Sequence, residues 1–199
     1  MDPKAIQQAE QRFSKAENAF ERLCVASCSR TTQDAWSDFL SSASTVYSKL
    51  EQGAKTNGRS SAWFGQKKYE RKSDPLLSYI HQARNSDEHG IEEVTQTRTQ
   101  QHLVGEVGGL SVSVSTSDDG TFSDFVGVLP DGKRVPISTY KSQTVRLVAV
   151  TNTRFGDTFD VPRSHFGEEL PDVLDPAYVA GLAISYLKNL IDEARGLAS

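Results

Sequence analysis

The chain of 199 residues contains little sulfur, with two cysteines and one methionine. Cys24 and Cys28 lie four residues apart in a segment that reads as one helix. That spacing rarely permits unstrained disulfide geometry, and two thiols alone make a poor metal site. We therefore expect free thiols, buried or half-buried, in a protein kept in a reducing compartment.

The sequence also lacks a long apolar run and an N-terminal segment with the basic-then-apolar pattern of a secretory signal. We therefore expect no membrane contact and a cytoplasmic location. Apolar residues make up 37% of the chain and charged residues 24%, which is typical of a soluble globular protein. The net charge of −4 argues against a protein coated in nucleic acid, although it permits a small basic cleft.

Several common catalytic patterns are missing as well. The sequence has no nucleophile elbow, Walker motif or Cys/His metal cluster. Gly105, Gly108 and Gly109 do not belong to a strand–loop–helix unit that would cradle a phosphate. His102 and His165 have no partners that the sequence identifies. We expect neither a bound metal nor a cofactor.

Helical periodicity occupies both ends of the chain. Three Asp-Pro pairs, each an N-cap followed by proline at the first helical position, predict helices that begin at Asp2, Asp74 and Asp175. Apolar residues recur every three or four positions in the first helix and in a second one, which we expect to begin at Thr31 or Thr32 and to end at Gly53. A loop over 55–60 and a short helix over about 61–72 complete the predicted series.

The periodicity changes to alternation after Gln101. Leu110–Thr116 alternates strictly, as a half-buried strand does. Turn signals at Asp118–Gly120, Pro130–Gly132 and Gly156-Asp157 separate further predicted strands. Five or six antiparallel strands in about sixty residues predict one small meander sheet, curled or packed on helices.

These patterns predict an α+β fold: an antiparallel helical bundle with a small antiparallel β-sheet inserted before the last helix. We expect four bundle helices in residues 1–95, the β insertion in 101–165, and a C-terminal helix in 172–199. The last helix is too apolar to stand alone, so we expect it to return to the N-terminal helices.

The segment from Asp74 to Gly90 carries the most suggestive polar residues. Leu77, Ile80 and Ala83 form an apolar line behind Arg84, Asn85 and His89, and Gly90 is a plausible C-terminal stop. A guanidinium, an amide and an imidazole suit a site that grips a phosphate and moves protons.

Positions 84 and 89 lie roughly 140° apart around an unbroken helix. A single site therefore requires one of two arrangements. Either the helix loosens near His89, or the second half of the site comes from another subunit, and we favour the second subunit.

The segment resembles the HEPN superfamily, whose motif is an arginine followed by four to six residues and a histidine, often with a polar residue directly after the arginine. Here Arg84 is followed by Asn85, and His89 comes after four intervening residues. The resemblance covers the first ninety residues and the last helix, but not the β region.

The resemblance implies a metal-independent endoribonuclease of the kind found in toxins and phage defence, acting as a homodimer. The 2′-hydroxyl of the RNA would attack the phosphate, His89 would act as general acid or base, Arg84 would stabilise the phosphoryl oxygens, and Asn85 would orient the phosphate or Arg84. An antitoxin or another protein is a further candidate partner.

Other residues near the motif have two interpretations. His81 could assist in the same cleft, or be a partly buried, hydrogen-bonded histidine. Asp87 and Glu88 could tune the charge on His89, or be solvated acids, and Glu88 is also placed to pair with Arg84. A metal site built from these groups lacks a recognisable ligand pattern.

A dense basic run precedes the central helix, and a strand of RNA entering a cleft near Arg84 would meet it. Its candidate RNA-binding residues are Lys67, Lys68, Tyr69, Arg71 and Lys72. The alternative is a solvated basic face that balances acidic neighbours. For the whole chain, the alternative function is a non-catalytic helical dimer that binds a protein or nucleotide.

Overall fold

The computed structural model describes residues 1–89, 93–104, 111–116, 122–136, 138–152 and 156–198. For residues 89, 101–104, 111–116, 122–125, 136 and 138–140 it describes the backbone only. The chain forms two compact units. The first unit comprises Met1–Thr97 and Val145–Ser199, and the second comprises Arg98–Thr144. The predicted stop at Gly90, the turn at Asp118–Gly120 and the glycines at 105, 108 and 109 lie outside the described residues.

The described residues contain five helices: α1 Pro3–Val25, α2 Ser29–Ala54, α3 Gly58–Ser73, α4 Pro75–His89 and α5 Pro176–Gly196. The three predicted Asp caps are confirmed. The carboxylate of Asp2 accepts a hydrogen bond from the Lys4 N–H at 2.9 Å, Asp74 from Leu77 at 2.9 Å, and Asp175 from Tyr178 at 2.8 Å. Each cap satisfies a backbone donor that has no partner within its helix.

Two predicted helix starts are wrong. α2 begins at Ser29, because the hydroxyls of Thr31 and Thr32 donate to the Cys28 carbonyl at 2.9 and 3.0 Å from inside the first turn instead of capping it. α3 begins at Gly58, because the Asn57 side chain accepts from the Ser60 N–H at 2.8 Å and so caps the helix within the predicted loop.

The two cysteines also differ from expectation. Cys24 lies in the last turn of α1, whereas Cys28 is the residue before α2, so the pair spans the connection between two helices. Both thiols are free, as expected, but both are exposed rather than buried. A hydrogen bond with Thr31 lowers the pKa of the Cys28 thiol.

The core of the first unit lies between α1, α2, α4 and α5. α1 and α2 pack closely along their length, and α5 returns to them as predicted. Gly53 permits the close approach, since a Cβ at that position would lie 2.4 Å from the Ala5 Cβ. Each large apolar side chain buried here contributes about 1.5–3 kcal/mol. The side chains that are almost completely buried include Trp36, Phe39, Leu40, Val46, Leu50, Leu76, Val179 and Leu190.

The strands form four small sheets within the described residues. β1 Thr95–Val104 pairs with β5 Ser138–Leu147. β2 Ser111–Thr116, β3 Phe122–Val128 and β4 Arg134–Pro136 form an antiparallel meander. β6 Val150–Thr151 pairs with β7 Thr158–Phe159, and β8 Ser164–His165 pairs with β9 Glu168–Glu169. These antiparallel sheets lie before α5 in the chain, which confirms the α+β class.

The prediction of a single meander sheet is wrong, because the described strands belong to four separate sheets. One of the breaks between sheets lies between β5 and β6. β5 ends at Leu147, and the next carbonyl, that of Val148, accepts a hydrogen bond from the Tyr79 hydroxyl of α4 at 2.8 Å. The backbone of this segment is therefore bonded to a helix instead of continuing the ladder. The predicted turns at Pro130–Gly132 and Gly156 are confirmed, and both glycines have positive φ, 83° and 78°.

Candidate functional site

The helix that carries the predicted motif, α4, is held on several sides. Leu76, Tyr79 and Ala83 are buried against α2, α3 and the short strands that follow β5. The Tyr79 hydroxyl donates to the Val148 carbonyl, and the Ser86 hydroxyl donates to the Thr151 carbonyl at 3.1 Å. Burial raises the pKa of Tyr79, which therefore stays protonated as a donor. α4 is thus a fixed support for the polar residues on its remaining face.

That face presents His81, Arg84, Asn85 and Glu88, which are spaced so that they lie on one side of the helix. The Arg84 Nη1 atom donates to the Asn85 Oδ1 atom at 3.3 Å, and the Arg84 guanidinium also pairs with the Glu88 carboxylate. The Arg84 side chain is 27% exposed. Its Nε atom is buried without a hydrogen-bond partner among the described residues. Arg84 is therefore oriented by two neighbours and retains one unused donor.

The helix is regular as far as His89. The first of the two arrangements considered for the motif, a helix that loosens near His89, is therefore wrong for α4. Positions 84 and 89 remain roughly 140° apart on the same helix. The side chain of His89, the central predicted catalytic group, lies outside the described residues.

The two acidic residues before His89 have partners of their own. The Ser37 hydroxyl on α2 donates to the Asp87 carboxylate at 2.5 Å, and Glu88 pairs with Arg84. Asp87 therefore ties α4 to α2. Glu88 competes for Arg84 with any phosphate that approaches this face.

His81 lies beside a small crevice between α2, α3, α4 and α5. The crevice has a volume of about 40 Å³. Its lining is mostly apolar and includes the polar residues Ser44, Tyr47, Arg71 and His81, which we call its polar rim. Burial, reinforced by the positive charges of Arg71 and Arg84, lowers the pKa of His81 to about 4. The imidazole is therefore neutral at pH 7 and presents one N–H donor and one acceptor nitrogen. A neutral imidazole with so low a pKa does not supply a proton at neutral pH.

The predicted basic patch is not one surface. Lys67 is 9% exposed, and its ammonium group donates to Glu70 on its own helix at 3.1 Å and to Glu193 on α5 at 3.0 Å. Burial acts to lower the pKa of Lys67, but these two carboxylates outweigh it and raise the pKa. Lys67 therefore joins α3 to α5, and the prediction that it faces RNA is wrong.

The other members of the basic run point to different surroundings. Lys68 pairs with Glu51 and lies 5.7 Å from the centroid of the Phe64 ring. Tyr69 is 73% exposed, and Lys72 is exposed. Arg71 alone reaches the crevice beside His81, with its guanidinium carbon 4.4 Å from the centroid of the Tyr47 ring. Of the basic run, α3 thus places Arg71 next to the polar face of α4.

The structure contains two polar clusters that sequence reasoning missed. The Tyr47 hydroxyl donates to the Lys67 carbonyl at 2.7 Å and lies 3.0 Å from the Tyr186 hydroxyl, and burial raises the pKa of Tyr47 to about 12. At the other end of α3, His165 Nδ1 lies 3.0 Å from Asp74 Oδ1. Both clusters join residues far apart in the chain, so no local spacing could have indicated them.

The described part of the chain contains no group of three or more His, Cys, Asp or Glu side chains arranged to hold a metal ion. Among its helices, none is both long and apolar enough to cross a membrane. The chain matches no family model, no curated protein and no solved structure.

Proposed function

We propose that this chain is a metal-independent endoribonuclease of the HEPN type that acts as a homodimer. The observation that carries the proposal is the hydrogen bond from Arg84 to Asn85 on a helix that runs regularly to His89. This bond supports the orienting role that the resemblance implies for Asn85. The crevice and the nearby Arg71 place further polar groups on the same face.

The reaction requires two proton transfers around one phosphate. The 2′-hydroxyl oxygen attacks phosphorus while a base removes its proton, the bond from phosphorus to the 5′-oxygen breaks, and an acid protonates that oxygen. The products are a 2′,3′-cyclic phosphate and a 5′-hydroxyl. His89 performs one proton transfer, an effect of about 10²- to 10⁴-fold on rate. Arg84 stabilises the charge on the phosphoryl oxygens by about 3 kcal/mol.

A second copy of the chain completes the site. Because positions 84 and 89 diverge by roughly 140° on a regular helix, Arg84 and His89 of one copy do not converge on one phosphate. Two copies related by a two-fold axis would bring Arg84 of one chain to His89 of the other, so that each dimer carries two equivalent sites with one His89 in each. We also propose that a protein partner, such as an antitoxin, binds the enzyme and regulates it.

The ion pair between Arg84 and Glu88 favours the second candidate function, a non-catalytic helical dimer that binds a protein or nucleotide. In that case the pair would be a structural contact along one helix. In the enzyme, the RNA phosphate would have to share Arg84 with Glu88 or displace it. The two candidates therefore differ in whether the chain cleaves RNA.

Complementation of inactive variants tests the enzyme and its dimeric site together. Purified Arg84→Gln and His89→Ala proteins are each incubated with RNA in the presence of EDTA, then mixed, exchanged and assayed again. We expect each variant to be inactive. If the two residues act across the dimer, the mixture regains roughly a quarter of wild-type activity, because half of the dimers carry one intact site.

Two results would overturn the proposal. Unchanged cleavage by His89→Ala would remove the catalytic assignment, and a wild-type protein that stays monomeric in light scattering at assay concentrations would remove the shared site. Thermal melting of each variant controls for unfolding. Analysis of the RNA ends distinguishes a cyclic phosphate from the products of a contaminating nuclease.

A further inference from the structure

We propose that Arg71 and His81, on the rim of the crevice beside α4, form a subsite for a non-scissile phosphate of the RNA strand. This inference rests on the proposed function, because it places the neighbouring phosphate of the same substrate next to the one held by Arg84. The subsite takes the backbone of a single strand and makes no contact with a base edge.

The first observation is which basic side chains on and near α3 already form ion pairs. Lys67, Lys68 and Arg84 each pair with a carboxylate. Arg71 forms no ion pair among the described residues and instead stacks its guanidinium on the Tyr47 ring, 4.4 Å from the centroid. Arg71 is half-buried, and its charge, after those of Lys68 and Lys55, helps to lower the pKa of the Glu51 carboxyl. Because no direct ion pair within the described part of the chain holds its guanidinium, Arg71 is available to an anion.

The second observation is that Arg71 and His81 line the same crevice. Arg71 on α3 and Arg84 on α4 both act on His81, and their charges contribute to the low pKa of about 4. Because His81 is neutral at pH 7, it offers its N–H to a phosphate oxygen without adding a third positive charge.

The third observation is the size of the crevice. A volume of about 40 Å³ with apolar walls admits one to three water molecules at most, so it does not enclose a nucleobase. The ligand group therefore sits on the polar rim, where Arg71 and His81 lie. This small volume favours contact with the sugar–phosphate backbone at this position.

The rim is also rigid. Tyr47, on which Arg71 stacks, is fixed through its hydroxyl by the Lys67 carbonyl at 2.7 Å and the Tyr186 hydroxyl at 3.0 Å. A guanidinium held on a fixed ring loses little side-chain freedom when it binds a phosphate. Arg71 is thus pre-organised to a degree that an exposed lysine such as Lys72 is not.

The test uses an RNA that binds but is not cleaved, a ten-nucleotide 2′-O-methyl single strand with a fluorescent label. Its dissociation constant is measured by anisotropy over a range of salt concentrations, for wild type, Arg71→Gln, Arg71→Lys and Arg59→Gln. Arg59 is the matched control, since it is an exposed arginine at the opposite end of the same helix.

We expect Arg71→Gln to weaken binding roughly tenfold, as the loss of a hydrogen bond to a charged group does. It should also lower the slope of log affinity against log salt by about 0.7, the value for one phosphate contact on a single strand. Arg71→Lys should keep the slope because it keeps the charge. Arg59→Gln should change neither quantity more than about twofold.

Each outcome separates the subsite from the proposed function. If the wild type cleaves RNA but Arg71→Gln and Arg59→Gln bind the uncleavable strand equally well, the subsite is refuted and the enzyme remains. If Arg71→Gln lowers the salt slope while no RNA is cleaved, the subsite stands without the reaction. If the wild type binds no RNA, both are refuted.

Discussion

The backbone N–H of Phe166 donates a hydrogen bond of 2.6 Å to the Oδ2 atom of Asp74, the residue that caps α4. Phe166 holds a φ of 48°, an uncommon conformation for a large side chain, and its ring contacts His165 and Tyr186. The turn between β8 and β9 is thereby fastened to the start of the helix that carries the motif. Asp74 is 5% exposed, so one buried carboxylate serves both elements.

Replacement of Asp74 should therefore cost more than the loss of an ordinary cap. We expect Asp74→Ala to lower the free energy of unfolding by about 2–4 kcal/mol, because the Leu77 and Phe166 N–H groups and the His165 ring all lose an acceptor. Asp175→Ala, which removes an exposed cap of α5, should cost about 1 kcal/mol. Urea denaturation of the two variants measures the difference, and equal losses would contradict the shared role of Asp74.

Stability should fall in mildly acidic solution because of His81. The unfolded chain binds a proton at His81 near pH 6.5, whereas the folded chain does so only near pH 4, so the unfolded state holds more protons between these values. The contribution is complete above pH 6.5 and is lost as the pH falls to about 4. We expect a loss on the order of 1–2 kcal/mol after allowance for solvent screening.

The variant that checks this is His81→Gln, followed by chemical denaturation at several pH values. Its free energy of unfolding should change less between pH 6.5 and 4 than that of the wild type. His165→Gln is the control, since it shows whether the replacement of a different histidine changes the pH dependence of the unfolding free energy in the same way. Parallel curves for wild type and His81→Gln would show that the imidazole does not titrate in this range.

Lys67 and Lys68 are adjacent in sequence and should behave very differently. Lys67→Met leaves Glu70 and Glu193 without their cation, so we expect a loss of about 1–3 kcal/mol in unfolding free energy. Lys68→Met breaks a more exposed pair with Glu51 and should cost less than about 1 kcal/mol. Thermal or urea unfolding measures both. A Lys67→Met protein as stable as Lys68→Met would show that the bridge from α3 to α5 contributes little.

Glu88 should restrain the binding of RNA. Glu88→Gln removes the carboxylate that competes for Arg84, so we expect roughly a twofold to tenfold tighter binding of the uncleavable strand. Asp87→Asn serves as the control, because Asp87 is occupied by Ser37 and not by Arg84. Anisotropy titrations at one fixed salt concentration make the comparison. Weaker binding by Glu88→Gln would mean that the pair positions Arg84 instead of competing for it.

The parts of the fold that depend on neighbouring residues could be predicted from the sequence. The Asp-Pro pairs locate three helix starts, and the apolar spacing of α5 indicates its return to α1 and α2. The start of α2 could not be predicted, because a threonine hydroxyl can either cap a helix or donate to a carbonyl of the preceding turn. The hydroxyls of Thr31 and Thr32 donate to the Cys28 carbonyl.

For the candidate site, the sequence indicates which helix face carries polar groups but not which charges are already paired. Lys67 and Arg71 lie one turn apart in the same basic run. Glu193, from the far end of the chain, pairs with Lys67, whereas Arg71 stacks on the Tyr47 ring. The break between β5 and β6 likewise involves Tyr79, whose hydroxyl binds a carbonyl 69 residues away. Partners at such separations have no local signature.

Because α5 is the last helix to be synthesised, it can pack on the bundle only after the other helices have left the ribosome. α1, α2 and α4 are synthesised first, but α5, which covers the remaining apolar surface of α1 and α2, begins only at Pro176. At ordinary rates of translation, the intervening residues take roughly 5–20 s to synthesise. During that interval, the apolar surface of α1 and α2 that α5 covers in the folded protein stays exposed on the nascent chain.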